Sequence, residues 1–198
     1  MIRTNEMSLG RQYFGLAADH DDGWVYVLGG YSTGKGILSD CERFSIKGHN
    51  WMPIEHLNVP RINMGSCLVS KKYLYVFGGS DENGFLDSIE RYNSSLDVWT
   101  LLQVKMQSKV TNLFAHAINE DAIIVLGGVK RKTLTFVNPN REAKKEYETE
   151  SKVHIFKPSK LKWKELKAFP FRKKISNILY NDNGKLFCFI IESNRELP

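Results

Sequence analysis

Apolar residues along this chain come in short runs and alternations, broken by clusters of Gly, Asn, Asp and Ser. Runs of this length mark strands half or wholly buried in a sheet. The pattern also repeats. "WVYVLGG" (24–30) returns as "YLYVFGG" (73–79) and as "AIIVLGG" (122–128), so the glycine pairs recur with a period of 49 residues. Behind each pair a second strand ends in an aromatic residue: "CERFSI" (41–46), "IERYN" (89–93) and "VHIFKP" (153–158). A tryptophan then follows, at Trp51, Trp99 and Trp163. Ahead of the pairs lie "LGRQYFGLAA" (9–18), "VPRINMGSCLV" (59–69) and "SKVTNLFAHAI" (108–118). A fourth copy begins at "FPFRKKISNILYNDNGKLFCFII" (169–191), with Ile190 and Ile191 in place of the glycines.

Each unit thus holds four short segments of β character joined by turns, which pair antiparallel. A four-stranded antiparallel sheet repeated about every fifty residues is the arrangement of a propeller blade. The order Gly-Gly, aromatic, Trp resembles the kelch repeat, and the resemblance spans residues 9–191. It implies an all-β, kelch-type β-propeller of about three and a half four-stranded blades in a single region over 1–198. The expected blades lie near 11–56, 61–104 and 109–168, with a partial blade at 174–191. The third unit carries about fourteen extra residues between Gly128 and Phe156, expected to form a charged loop over 129–152.

Propellers have about four to eight blades, so the count predicts an incomplete or irregularly closed ring. An open arc bares apolar faces and strand edges, which invite association. A longer chain, a second chain or a tight four-bladed closure would each relieve that exposure.

The stretch "VLGGYSTGKG" (27–36) nearly spells a phosphate-binding loop, but Gly36 stands where the metal-ligating Ser or Thr belongs. The next segment, "ILSDCERFSIKGHNW" (37–51), reads as strand and turn instead of the helix that would face a phosphate. The stretch is a turn.

Composition narrows the function further. Nothing approaches a membrane span, and "MIRTNEMSLG" has no apolar stretch of the secretory kind. Three cysteines, Cys41, Cys67 and Cys188, with no close pair favour a reducing, cytoplasmic setting. His20, His49, His56, His116 and His154 show no metal-ligand spacing. His116 and Cys67 read as packed core positions, and the acids of "DHDD" (19–22) and "NED" (119–121) as turn formers. Copper oxidases on similar propellers need a Cys-Tyr cofactor and paired histidines, which find no match here. No catalysis, cofactor or metal is expected, and an oxidase-like enzyme is the alternative.

Strand direction places the loops after each Gly-Gly and those before each first strand on one face. That face collects Arg11, Tyr31, Ser32, Lys35, Arg61, Asn63, Ser80, Asp81, Glu82, Asn83, Lys109, Asn112 and Arg172. Basic and amide groups around an axis suit the carboxylates or phosphates of a protein partner. Kelch-like modules of this kind serve substrate recognition in ubiquitin ligation or bind cytoskeletal proteins; both roles are implied by the resemblance alone. The net charge of +6 is local: residues 130–174 hold 15 Lys and Arg against 5 acids, while the remainder is acidic on balance. Nucleic acid is the competing partner for that region. However, Lys160, Lys162 and Lys164 alternate with Leu161 and Trp163, as on a solvent-facing edge strand guarded by lysines.

Overall fold

A computed structural model of the chain describes residues 6–19, 21–132 and 146–166 in full, and the backbone of 174–180 and 186–191. Arg172, His20 and residues 133–145 of the insert lie outside the described residues, as does the side chain of Cys188. Among the described residues the fold is all-β, with no helix.

The first sheet runs β1 (Gly15–Asp19), β2 (Trp24–Ser32), β3 (Gly36–Ser45) and β4 (Asn50–Ile54), each antiparallel to the next. The second is built the same way from β5 (Gly65–Val69), β6 (Tyr73–Phe77), β9 (Ile89–Asn93) and β10 (Val98–Leu101), with the small hairpin β7 (Ser80–Asp81) and β8 (Gly84–Phe85) beyond the glycines. The third comprises β12 (Phe114–Asn119), β13 (Ala122–Leu126), β16 (Val153–Lys157) and β17 (Lys162–Glu165). Two further strands, β18 (Lys174–Tyr180) and β19 (Leu186–Ile191), pair as a hairpin. First strands stand side by side, β1 against β5 and β5 against β12, so the sheets fan out from a common axis as blades of a propeller. Among the described residues the ring is not closed.

The insert differs from the expected loop at its two ends. There β14 (Val129–Arg131) pairs with β15 (Tyr147–Thr149), and β11 (Val110–Thr111) adds a third strand. Lys130 lies directly opposite Glu148 across this ladder, an opposite-charge pair of the kind that favours strand pairing.

Two devices join neighbouring sheets. The first is the glycine pair. Gly29 and Gly78 have φ of 55° in both cases, a region costly to a residue with a side chain. A Cβ on Gly29 would sit 2.7 Å from the Arg61 carbonyl, and one on Gly78 2.5 Å from that of Val110. The missing side chain lets the next unit's backbone come close enough to bond: Gly30 N–H donates to Arg61 O at 2.9 Å and Gly79 N–H to Val110 O at 2.9 Å. The second device is the aromatic anchor. Tyr92 and Trp99 pack ring to ring at 5.1 Å within the core shared by the first two sheets. Phe156 and Trp163 repeat the pair at 4.9 Å and meet Phe77 of the preceding sheet. Each indole N–H reaches back to the previous unit, Trp99 to Glu55 O at 3.0 Å and Trp163 to Lys105 O at 2.9 Å. Phe44 and Trp51 form the same pair in the first sheet at 5.2 Å. They lie on the side turned away from the second sheet, where Phe14 and Leu16 are exposed.

The arginines correct an expectation. Arg61 and Arg11 do not offer guanidinium forks to a partner; both side chains are fully buried. Arg61 bonds Glu90 at 2.6 Å and donates to the Gly78 carbonyl at 2.9 Å, besides Ser88 and Val59. Arg11 repeats this with Glu42 at 2.6 Å, the Gly29 carbonyl at 3.2 Å and the Asp40 carbonyl at 2.6 Å. Each glutamate also holds the incoming chain: Glu42 accepts from Ser8, and Glu90 from the N–H groups of Asn58 and Val59. Burying these charges is tolerable because nearly every donor has a partner. Ser32 is likewise buried, its hydroxyl bound to Gly10 O. Asn63 and Asn112 share a left-handed backbone, φ 54° and 56°, with Tyr13 at the same place in the first unit. Asparagine tolerates that conformation better than most residues. Asn63 N–H bonds Tyr13 O and Asn112 N–H bonds Asn63 O, linking the three units in series.

Breaking one partner of a buried pair leaves an uncompensated charge, so Arg61→Val should cost about 3–5 kcal/mol in urea unfolding. The third unit carries Val110 and His154 at the register positions of Arg61 and Glu90. Adding Glu90→His to Arg61→Val should therefore recover much of the loss. Additive losses in the double variant would show that the two residues act separately.

Burial holds the pKa values of His116 and His154 below the ordinary 6.5. The unfolded chain then binds more protons just below that pH, and stability falls as pH drops from about 7.5 to about 5.5. Urea midpoints at those two values should differ in the parent and converge in His116→Gln/His154→Gln. An equal midpoint drop in the double variant would assign the effect to other groups.

Candidate functional site

The loop face folds into a cleft between the second and third sheets. On one wall stand Asn83 and Phe85 from the β7–β8 hairpin, and on the floor Ser108 and Lys109 from the segment entering the third sheet. Lys130 and Arg131 of β14 and Glu148 of β15 form the other wall. The opening measures about 750 Å³ including its mouth.

Local chemistry fixes this shape. Asp81 accepts from the N–H groups of Asn83 and Gly84 at 2.8 and 2.9 Å, which closes the hairpin and sets Asn83 at its tip. This is the turn role that Asp fills readily. Arg131 lies over the ring of Phe85, 5.8 Å from the centroid, and Phe85 meets Tyr147 at 5.7 Å. The guanidinium is thereby placed by an aromatic face and keeps its N–H donors for a ligand. Lys130 bonds Glu150 at 2.9 Å and approaches Glu148 at 3.5 Å. Burial by itself would lower the Lys130 pKa, but the Glu150 bond and charge more than offset it and raise the value, so the ammonium is secure. Lys109 is exposed and has no ion-pair partner among the described residues. Three cations thus border one opening against a single lining acid, Glu148.

Of the residues expected on this face, the structure brings Asn83 and Lys109 into the cleft. Ser80 and Asp81 shape its hairpin, and Glu82 is exposed at the turn. Tyr31 and Lys35 belong to the first sheet's own hairpin; Lys35 lies 4.0 Å from Asp40. Arg11, Arg61 and Ser32 are interior, while Asn63 and Asn112 serve the backbone links between units. The sequence pattern does not single out Phe85, Ser108, Lys130, Arg131 or Glu148 as site residues. Alternation in "VKR" (129–131) opposite "YET" (147–149) is the available signal, masked by the charged residues between them.

Among the described residues the thiols, Cys41 and Cys67, offer no nucleophile. Burial pushes Cys41 up to about 12 and raises Cys67 further, so neither carries thiolate at neutral pH. At the opposite face an opening is lined by Lys72, Tyr73, Arg91 and Glu120, and its arginine is stacked on Tyr73 at 5.0 Å.

Comparison with known proteins agrees with the architecture. The family model described as Kelch motif matches residues 63–103, the second unit from its left-handed asparagine through its tryptophan. Beta-scruin of Limulus polyphemus is 30% identical over 164 residues, covering 77% of this chain and 16% of that protein. Kelch-like protein 11 of Homo sapiens is 33% identical over 75 residues, 38% of this chain and 10% of that protein. Kelch-like protein 4 of Homo sapiens is 40% identical over 63 residues, 31% of this chain and 9% of that protein. The chain therefore spans a sixth or less of the length of these relatives. With repeated glycine seams, aromatic anchors and antiparallel four-stranded sheets around one axis, the chain belongs to the kelch-repeat family.

Proposed function

We propose that this chain is a non-catalytic protein-interaction module that captures an acidic, extended segment of a partner in the cleft between its second and third sheets. The observation that carries the reading is the convergence of Lys109, Lys130 and Arg131 on one opening beside Phe85 and Tyr147. Carboxylates suit such a set, because a stacked guanidinium presents a fork and a lysine a mobile point charge. The aromatic pair adds apolar area for a neighbouring side chain. Capture of this kind serves substrate recognition in ubiquitin ligation or attachment to a cytoskeletal protein, the two roles that the kelch resemblance implies.

The basic character of residues 130–174 suits this reading better than nucleic acid. Lys162 and Lys164 lie on β17, the outermost strand of its sheet, and flank Trp163, which packs inward. They guard an edge. Lys152 and Lys132 are each engaged by a glutamate at 2.9 Å.

The test is fluorescence polarisation with labelled extended peptides carrying two or three carboxylates beside an aliphatic or aromatic residue. Lys109→Glu/Arg131→Glu should weaken capture at least tenfold, about 1.4 kcal/mol or more, with thermal stability little changed. Lys162→Glu/Lys164→Glu should leave it as it was. Equal binding by the cleft variant, or loss only in the edge variant, would reject the cleft.

A further inference from the structure

Arg43 and Arg91 hold the same place in the first two sheets, each opposite a tyrosine of the neighbouring strand, Tyr26 or Tyr75. Each lies over the aromatic ring two residues before that tyrosine, Arg43 over Trp24 at 4.4 Å and Arg91 over Tyr73 at 5.0 Å. The Nε atom of each is buried and without a hydrogen-bond partner. What the next sheet sets against them differs. Near Arg43 stands Asp97 of the second sheet, whose carboxylate accepts from the Glu55 N–H at 2.9 Å and the Tyr92 hydroxyl at 2.6 Å. Those two bonds, with the charge of Arg43, hold the Asp97 pKa below its ordinary value.

The third sheet sets no such acid against Arg91. Leu161 takes the place of Asp97, two residues before the tryptophan and in the same left-handed backbone, φ 50° against 52°. Phe156 takes the place of Tyr92 in the ring pair, which removes the hydroxyl. A groove of about 390 Å³ opens beside Arg91, on the face away from the glycine loops. Lys72 and Glu120 border it, with Pro158 and Ser159 from the turn that carries Leu161. The Lys72 Nζ atom lies 5.3 Å from the centroid of the Tyr73 ring. Neither Arg91 nor Lys72 forms an ion pair among the described residues.

We propose that this groove is a carboxylate site, filled by an aspartate or glutamate side chain of a protein partner in the place that Asp97 holds one seam earlier. A stacked guanidinium presents fixed N–H donors to a carboxylate, and Lys72 adds a mobile point charge. Glu120 leaves the lining only one positive charge on balance, which favours a single carboxylate over a doubly charged phosphate. Tyr73 and Pro158 offer apolar surface to the stem of the bound side chain. The groove shares no lining residue with the basic cleft of the loop face, so the two sites are separable by experiment.

The probe is Nα-acetyl-aspartate N-methylamide, with the asparagine analogue as its control and inorganic phosphate as a competing anion. The readouts are the NMR resonances of the Arg91 and Arg43 Nε–H groups, each identified by its absence in the arginine-to-lysine variant. The aspartate probe should move Arg91 saturably and leave Arg43, which already has an acid beside it, in place. The asparagine analogue should bind at least tenfold more weakly, and phosphate more weakly than aspartate. Leu161→Asp, at an exposed position whose backbone Asp tolerates, should supply the internal acid and weaken the response at least tenfold. Lys72→Glu, also on the surface, should weaken it as well. Lys109→Glu/Arg131→Glu, which alters only the cleft, should leave it intact. An Arg91 resonance that stays still, that moves equally with asparagine, or that responds equally in the Leu161 and Lys72 variants would overturn the proposal. So would an equal response at Arg43, tighter binding of phosphate, or loss of the response in the cleft variant.

Discussion

Everything in this structure depends on how closely one sheet's backbone approaches the next. A propeller has no helix layer to cover its sheets; each must bury its faces on its neighbours. The closest approach occurs at the diglycine, where an N–H of one unit meets the carbonyl of the residue that opens the next. Only a residue without a side chain permits it, since a Cβ would fall within 2.5–2.7 Å of that carbonyl. The carbonyl belongs to Arg61 at one seam and to Val110 at the other. Where the residue is arginine, its side chain turns back to the glycine carbonyl and the glutamate of its own sheet. Backbone and buried ion pair thus lock the same corner from two sides. The aromatic–tryptophan pairs fill the remaining width between sheets and report the same spacing through their indole hydrogen bonds.

The site depends on this geometry. Loops on the glycine side are held at fixed positions by the seam beneath them, which is what lets residues as distant in sequence as Asn83, Lys109 and Arg131 share a cleft. The third unit departs from its sisters here in two ways. It carries the insert whose ends supply Lys130 and Arg131, and it replaces the arginine–glutamate pair with valine and histidine. Both departures fall between the second and third sheets, so the part of the molecule that breaks the repeat is also the part that carries the basic cleft.

Much of the fold was legible because its determinants recur. Gly29, Gly78 and Gly127 announce the period, and Trp51, Trp99 and Trp163 follow in the same order, the last delayed by the insert. The side chains on the loop face were harder to read. An arginine beside a turn ordinarily signals surface, and only the joint recurrence of Arg11 with Glu42 and of Arg61 with Glu90 could have suggested a buried pair. Asn63 and Asn112 likewise look like hydrogen-bonding groups for a ligand, yet their identity answers a backbone demand that no hydrophobic pattern reveals. Phe85 and Arg131 are far apart in sequence, and their stacking depends on strands that form at the two ends of a charged insert.

The most direct test of the seam is native-state hydrogen exchange on Gly78→Ala. Its added methyl would crowd the Val110 carbonyl in a left-handed backbone, at a cost of about 1–3 kcal/mol or more. The Gly79 amide should then lose much of its protection while the Gly30 amide, at the other seam, keeps most of its own. Unchanged protection at Gly79 with parental stability would contradict the account, because the sheets would then be held by something other than this contact.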